Sequence, residues 1–200
     1  MMRKKIILGI TGATGSLYAL EFLKLMATTD AEVHAIISEA GEQVLRLELG
    51  IGKAALSPYV AQWHDIKNFA AAVSSGSGRF DGMTVLPCTM GTLAAIANGL
   101  TRNLIHRAAD VTLKERRPLI LAVRETPLNR IHLANMLKAD EAGAVICPPM
   151  PAFYHKPESL EAMARAFSGR VASLLGFDLP DLPRWEGKGR EKRPRKTRNK

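Results

Sequence analysis

Arg124 and Glu125 form a cation–carboxylate pair where a chain seldom leaves two charges idle. They follow Leu119 to Val123, an unbroken apolar run. Such a run reads as a strand buried on both faces of a sheet. In open α/β sheets, ligands bind outside the carboxyl ends of the strands. A guanidinium there can hold an anion, and a carboxylate beside it can carry a proton. The same pair also suits an ordinary loop ion pair, and position leaves both readings open. Upstream, the charged run Lys114, Glu115, Arg116, Arg117 closes a helical stretch that carries Arg107. Residues 107–127 therefore hold a dense set of charges around one buried strand.

Two further stretches could hold a phosphate or a ring. Gly9-Ile-Thr-Gly12-Ala-Thr-Gly15 follows the apolar run Lys4 to Ile10 and leads into Ser16 to Met26, an amphipathic helix. Strand, glycine turn and helix place free N–H groups and the positive dipole end beside the turn. The glycine spacing departs from the usual dinucleotide fingerprint, whose first two glycines are two apart. In the second stretch, the strand Gly82 to Leu86 runs into Pro87-Cys88-Thr89-Met90-Gly91-Thr92, with a helix from Leu93 to about Asn98. Helix capping accounts for one of the two threonines more easily than for both. The strand Glu32 to Ile37 ends on Ser38, where a dinucleotide enzyme usually carries an acid for the ribose. A neutral donor suits a phosphate or a flavin edge, and it equally suits an N-cap for Glu39 to Leu49.

The remaining elements position these groups. A short third strand is expected near Tyr59 to Trp63, and Ser74-Ser-Gly-Ser-Gly78 reads as a flexible loop. Asn103 to Arg117 and Asn129 to Ala142 read as helices, and Ala144 to Cys147 as a short strand. Pro148 to Tyr154 is a stiff proline loop. Glu158 to Leu175 is a helix carrying Arg170, and Leu179 to Trp185 is a proline-punctuated arm. Strands alternating with helices give an α/β fold: a single domain with a doubly wound, mostly parallel, Rossmann/flavodoxin-like sheet over residues 1–186.

Composition agrees with that fold and excludes several classes. Two hundred residues at 46% hydrophobic content suit one domain with a sizeable core. No apolar run reaches membrane-spanning length, and Ile6 to Ile10 is too short for a signal peptide. Cys88 and Cys147 lack metal-ligand spacing and are too few for a disulfide framework, so free thiols and a cytoplasmic location are expected. The net charge of +9 is concentrated at one end. Gly187 to Lys200 holds eight basic residues against one acid, Glu191, and so carries +7 of it. Residues 187–200 read as a disordered basic tail, able to touch nucleic acid or anionic lipid weakly by counterion release. The near-neutral body lacks basic stripes interleaved with aromatics, which argues against a nucleic-acid module.

Taken in order, the motifs resemble the flavin prenyltransferase family, the UbiX-like flavoproteins. They are Gly9-Ile-Thr-Gly12-Ala-Thr-Gly15, Ser75-Gly-Ser77, Pro87-Cys-Thr-Met-Gly91-Thr-Leu-Ala-Ala-Ile-Ala97, Arg107-Ala-Ala-Asp-Val111, Leu113-Lys-Glu-Arg-Arg-Pro118, Arg124-Glu-Thr-Pro127 and Pro148-Pro-Met-Pro-Ala-Phe-Tyr154. The resemblance implies an enzyme that joins a dimethylallyl group from dimethylallyl monophosphate to N5 and C6 of reduced FMN, without a metal. It also implies a homododecamer whose product, prenylated FMN, serves UbiD-like decarboxylases.

By the same resemblance, Gly12, Ala13 and Thr14 cradle the FMN phosphate region. Ser38, the run Thr89, Met90, Gly91 and Thr92, and Arg124 complete the flavin site. Tyr154 and Arg170 hold the prenyl phosphate, with Lys114, Glu125 and Arg107 as further contacts, and Trp185 covers the site. The residue types make chemical sense. Allylic C–O cleavage places charge on phosphate, which Lys114, Arg170 and the Tyr154 hydroxyl can stabilise, while Glu125 can carry the proton lost from C6. Gly78 stands where relatives commonly place an aromatic facing the prenyl group, and Phe80 comes two residues later. Two rivals share the fold: an FMN-dependent cysteine-type decarboxylase and a non-catalytic FMN-binding accessory subunit of a decarboxylase. The first typically carries a Pro-x-Met-Asn motif, whereas this chain reads Pro148-Pro149-Met150-Pro151. The four groups Lys114, Glu125, Tyr154 and Arg170 argue against the second.

Overall fold

The computed structural model describes residues 3–179 of the chain. The tail, Trp185 and all but the first residue of the proline-punctuated arm lie outside the described residues. Six strands form one parallel sheet: β1 (Lys5–Ile10), β2 (Glu32–Ile37), β3 (Gln62–His64), β4 (Gly82–Cys88), β5 (Leu119–Val123) and β6 (Val145–Ile146). Their order is β3-β2-β1-β4-β5-β6, the Rossmann order. Without the three-residue β3 the order becomes that of the five-stranded flavodoxin sheet, so both halves of the sequence expectation are met.

Seven α-helices flank the sheet among the described residues: α1 (Ser16–Met26), α2 (Glu39–Leu49), α3 (Lys53–Leu56), α4 (Met90–Ala97), α5 (Leu104–Lys114), α6 (Arg130–Glu141) and α7 (Leu160–Leu174). Strand side chains alternate between faces. Ile6, Leu8 and Ile10 pack with Phe22, Leu45 and Val171 from α1, α2 and α7. Ile7, Met83 and Val85 pack with Ile96, Ile105 and Ala139 from α4, α5 and α6. Two cores on opposite faces explain why β1, β4 and β5 read as continuous apolar runs.

Helix boundaries follow their caps. Ser38, Thr89, Asn103, Asn129 and Ser159 each accept a backbone N–H from the first turn of the helix that follows. Thr89 starts α4 at Met90, three residues before the expected Leu93. α5 ends at Lys114 and does not run on to Arg117. Arg116 takes a left-handed conformation at φ 55°, and the Arg117 N–H closes back onto the Thr112 carbonyl at 3.0 Å. The loop at 74–78, expected to be flexible, contains two 3₁₀ turns, Ala72–Ser74 and Gly76–Gly78. Arg107 Nε donates to the Ser74 carbonyl at 3.1 Å, and an Arg117 guanidinium nitrogen to the Gly76 carbonyl at 2.7 Å. These charged donors tie the loop to α5 and its exit.

Candidate active site at the carboxyl rim of the sheet

The strand order reverses between β1 and β4, and parallel register brings their carboxyl ends level. Ser38 N donates to the Ile10 carbonyl at 3.0 Å, and Arg124 N to the Cys88 carbonyl at 3.1 Å. Thr11 to Ser16, Ser38, Thr89 to Thr92 and Arg124 therefore share one rim. The buried Thr11 hydroxyl locks its two central loops together. It donates to the Pro87 carbonyl at 2.7 Å and accepts from Thr89 N at 2.9 Å.

Both threonine hydroxyls of the second loop are engaged in the cap. Thr89 Oγ1 accepts from Thr92 N at 3.2 Å and donates to Thr92 Oγ1 at 3.0 Å. Capping thus uses both, contrary to the expectation from sequence. The first-turn N–H groups of Met90 and Gly91 have no carbonyl to reach within the helix. A Cβ built on Gly91 meets nothing within 4 Å, so the backbone is open to a ligand here.

The amino end of α1 differs. Its donors are taken by Glu48, from the last turn of α2. The Glu48 carboxylate accepts from the Thr14 hydroxyl, from Gly15 N at 3.0 Å and from Ser16 N at 2.8 Å. Burial alone would raise its pKa, but these hydrogen bonds together hold it below the ordinary 4.5. Of the residues expected to cradle the phosphate, Glu48 engages the Thr14 hydroxyl; its other two partners, Gly15 N and Ser16 N, lie outside that set. Gly12 has another reason to be glycine, because a Cβ would stand 2.5 Å from the Ala40 Cβ. Gly15 lies at φ 110°, a conformation that L side chains rarely adopt. The sequence reading missed Glu48. Its signal was an acid in the last turn of a helix, where its own helix dipole disfavours it.

Beside the rim, the loop after β6 and helix α7 enclose a cleft of about 820 Å³. Tyr154 and Arg170 both line it, together with Cys147, His155 and Phe167. Tyr18 of α1 joins cleft to rim. Its ring packs on Phe167 at 5.1 Å between centroids, and its hydroxyl feels the Arg124 cation. Burial raises the Tyr18 pKa above the ordinary 10.0, with Arg124 opposing. Burial also raises the Cys147 thiol, against the pull of Arg170. The Cys88 thiol is fully buried and is pushed up to about 12. Glu125 is exposed in the turn after β5 and accepts from Thr126 N at 3.0 Å. Among the described residues it makes no ion pair with Arg124, so the ordinary ion-pair reading does not hold.

Lys114 and Arg107 stand elsewhere within one chain. Lys114 ends α5 at the amino end of β5, about 17 Å along that strand from Glu125 at the usual rise. It pairs with Glu115 at 2.5 Å, and Arg107 pairs with Asp110 at 2.8 Å. One chain therefore does not bring Lys114 and Arg107 together with Tyr154 and Arg170. Phe80 is turned inward, 5% exposed, with its ring edge-on to His34 at 4.9 Å. It supplies no aromatic wall at the cleft. A Cβ on Gly78 would lie 2.4 Å from the Ala72 carbonyl oxygen.

Known proteins share this fold. A family model described as Flavoprotein matches residues 1–167. A flavin prenyltransferase UbiX from Methanothermobacter thermautotrophicus is 44% identical over 185 residues, covering 92% of this chain and 97% of the relative. A solved structure of AnUbiX (PadA1) with FMN and dimethylallyl pyrophosphate superposes with a TM-score of 0.91 at 44% identity, over 93% of this chain and 99% of the other. A dodecameric FMN-dependent UbiX-like decarboxylase from Escherichia coli O157:H7 gives 0.88 at 40%, over 92% and 100%. With two facing loops at the switch point and a Tyr–Arg cleft beside them, the chain belongs to the flavoprotein family, as one of its UbiX-type flavin prenyltransferases.

Proposed function

We propose that the protein transfers the dimethylallyl group of dimethylallyl monophosphate to N5 and C6 of reduced FMN. The observation that carries this reading is one cleft lined by both Tyr154 and Arg170, joined through Tyr18 to a rim bearing Arg124. The residues present suit a flavin phosphate and ring: open N–H groups at Met90 and Gly91, the Ser38 end of β2, and the Arg124 cation. Reduced flavin supplies the nucleophilic N5 and C6.

The chain's own residues do the rest. As the allylic C–O bond breaks, its electron pair leaves on the phosphate oxygen. Arg170 and the Tyr154 hydroxyl face that growing charge, a fixed electrostatic arrangement worth roughly 3 kcal/mol per well-placed donor. Alkylation at N5 gives up the N5 proton to phosphate or solvent; ring closure then forms the bond to C6 as the prenyl C=C gains a proton and C6 loses one, and Glu125 can carry that proton between the two positions.

Lys114 and Arg107 reach a cleft only if another copy of the chain supplies them, so the working form is a closed homo-oligomer, a dodecamer like the E. coli relative. Exposed Ile131 and Leu137 on α6 give it apolar surface to bury. No helix among the described residues is long and apolar enough to cross a membrane. The enzyme acts in the cytoplasm and passes prenylated FMN to a UbiD-like decarboxylase. Mass spectrometry of the flavin, after incubating protein, reduced FMN and either dimethylallyl monophosphate or the pyrophosphate, tests the reading. An added C5 unit with the monophosphate is expected. Unchanged flavin with both donors would overturn it.

A further inference from the structure

Tyr18 stands between cleft and rim, and three contacts fix it there. Its ring meets that of Phe167 at 70°, 5.1 Å between centroids. Its backbone carbonyl accepts from the buried Ser168 hydroxyl at 2.8 Å, which ties α1 to α7 at this residue. A Cβ on Gly15 would lie 2.8 Å from the Tyr18 ring, so the turn before α1 leaves that ring its room. The hydroxyl, by contrast, has no hydrogen-bond partner among the described residues. Unlike the Nδ1 atoms of His106 and His155, it is not sealed off, and Tyr18 is only half-buried. A phenol packed into protein usually finds a partner for its O–H, so one held on three sides with an open hydroxyl suits a partner that arrives with a ligand. The charge acting on this hydroxyl is that of Arg124, and Tyr18 stands outside the lining of the cleft. The hydroxyl therefore belongs to the rim. Burial holds its pKa above 10.0, so it enters as a donor; a guanidinium also only donates, and the two together suit an acceptor.

We propose that Tyr18 is a further flavin contact: its hydroxyl donates a hydrogen bond, beside Arg124, to a carbonyl oxygen on the pyrimidine edge of the flavin ring. This rests on the reading of the rim as the flavin site. The open N–H groups of Met90 and Gly91 suit the flavin phosphate, which leaves the ring edge to Tyr18 and Arg124. That edge carries two carbonyl oxygens and takes up the charge when reduced flavin loses its N1 proton. A donor there favours the reduced, nucleophilic flavin over the oxidised one. Because α7 carries Arg170 and also holds Tyr18 through Phe167 and Ser168, one helix sets both the donor's phosphate and the flavin ring.

Tyr18→Phe keeps the ring on Phe167 and removes only the hydroxyl. Titration with oxidised and with reduced FMN, redox titration of the FMN-loaded protein, and melting with and without FMN read the contact. The variant is expected to bind reduced FMN about 10- to 100-fold more weakly, the size of one lost hydrogen bond to a charged group, and oxidised FMN only a few-fold more weakly. A tenfold difference between the two lowers the two-electron midpoint potential by about 30 mV. Without FMN, wild type and variant are expected to melt together, because the hydroxyl has no partner to lose. The stabilisation that FMN adds should be smaller in the variant. Unchanged FMN affinity and potential would overturn the proposal. Equal weakening in both redox states, with an unchanged potential, would put the hydroxyl on the phosphate and overturn the ring contact. A variant that melts several degrees lower without FMN, or does not fold, would show a hydroxyl already bonded within the protein and overturn it too. A wild type that binds no FMN would sink the reading of the rim, whereas FMN binding without prenylation would sink only the reaction, and these titrations would still decide the Tyr18 contact.

Discussion

Glu48 caps the first turn of α1 together with Thr14, although the two residues lie 34 positions apart, one in the loop before α1 and the other in the last turn of α2. The carboxylate fills the anion-accepting end of one helix from the unfavourable end of another, so it ties α1 to α2 across the rim. Glu48→Ala removes hydrogen bonds to a hydroxyl and to two backbone N–H groups, and should cost about 1 kcal/mol. Because its folded pKa lies below 4.5, this contribution is present above that value and is lost as pH falls through the lower folded value. Denaturant melts of wild type and variant at pH 3.5 and 7 check this, since the gap between the two should close at the lower pH.

His34 and His64 form a buried pair, with Nδ1 of one 3.0 Å from Nε2 of the other. Burial lowers both pKa values below 6.5. For His34, the His64 and Lys5 charges act in the same direction and Glu32 opposes. The unfolded chain thus binds more protons than the folded one below pH 6.5. The pair's contribution is complete above 6.5 and is lost as pH falls through the folded values. Melting temperature should drop between pH 7 and 5 in wild type, and less steeply in His64→Gln.

Cys147 borders the cleft while Cys88 is fully buried. A neutral thiol reagent should modify Cys147 first in the folded protein, with Cys88 reacting only after denaturation. Peptide mass mapping locates the adduct. Inorganic phosphate bound near Arg170 should slow labelling.

Lys114 ends α5 on one face of the sheet, and Arg170 belongs to α7 on the other. Lys114→Ala and Arg170→Ala enzymes should each be nearly inactive. Refolded together, they should recover activity at about a quarter of sites by random mixing in a closed assembly. No recovery on mixing would place Lys114 outside the working site.

Glu125→Gln keeps shape and removes the titratable carboxylate. Turnover should fall by roughly 10²- to 10⁴-fold, the range for lost acid–base catalysis. FMN titration should be unaffected, and stopped-flow spectra with product mass separate binding from chemistry.

What the sequence by itself determined was local. Apolar runs marked β1, β4 and β5 because strand interiors buried on both faces seldom hold an unpaired charge. Ser38 and Asn129 marked helix starts because their side chains replace missing backbone acceptors. The rim residues Ser38, Thr89 and Arg124 were legible because each follows such a run directly. Only the tertiary structure decided which donors remain available and which charges meet. Glu48 reaches α1 through the packing of two helices, so no spacing rule links it to Thr14. Tyr154 and Arg170 share a cleft because the loop after β6 folds against α7. Lys114 is separated from Arg170 because α5 and α7 pack on opposite faces of the sheet, an arrangement that motif order does not encode.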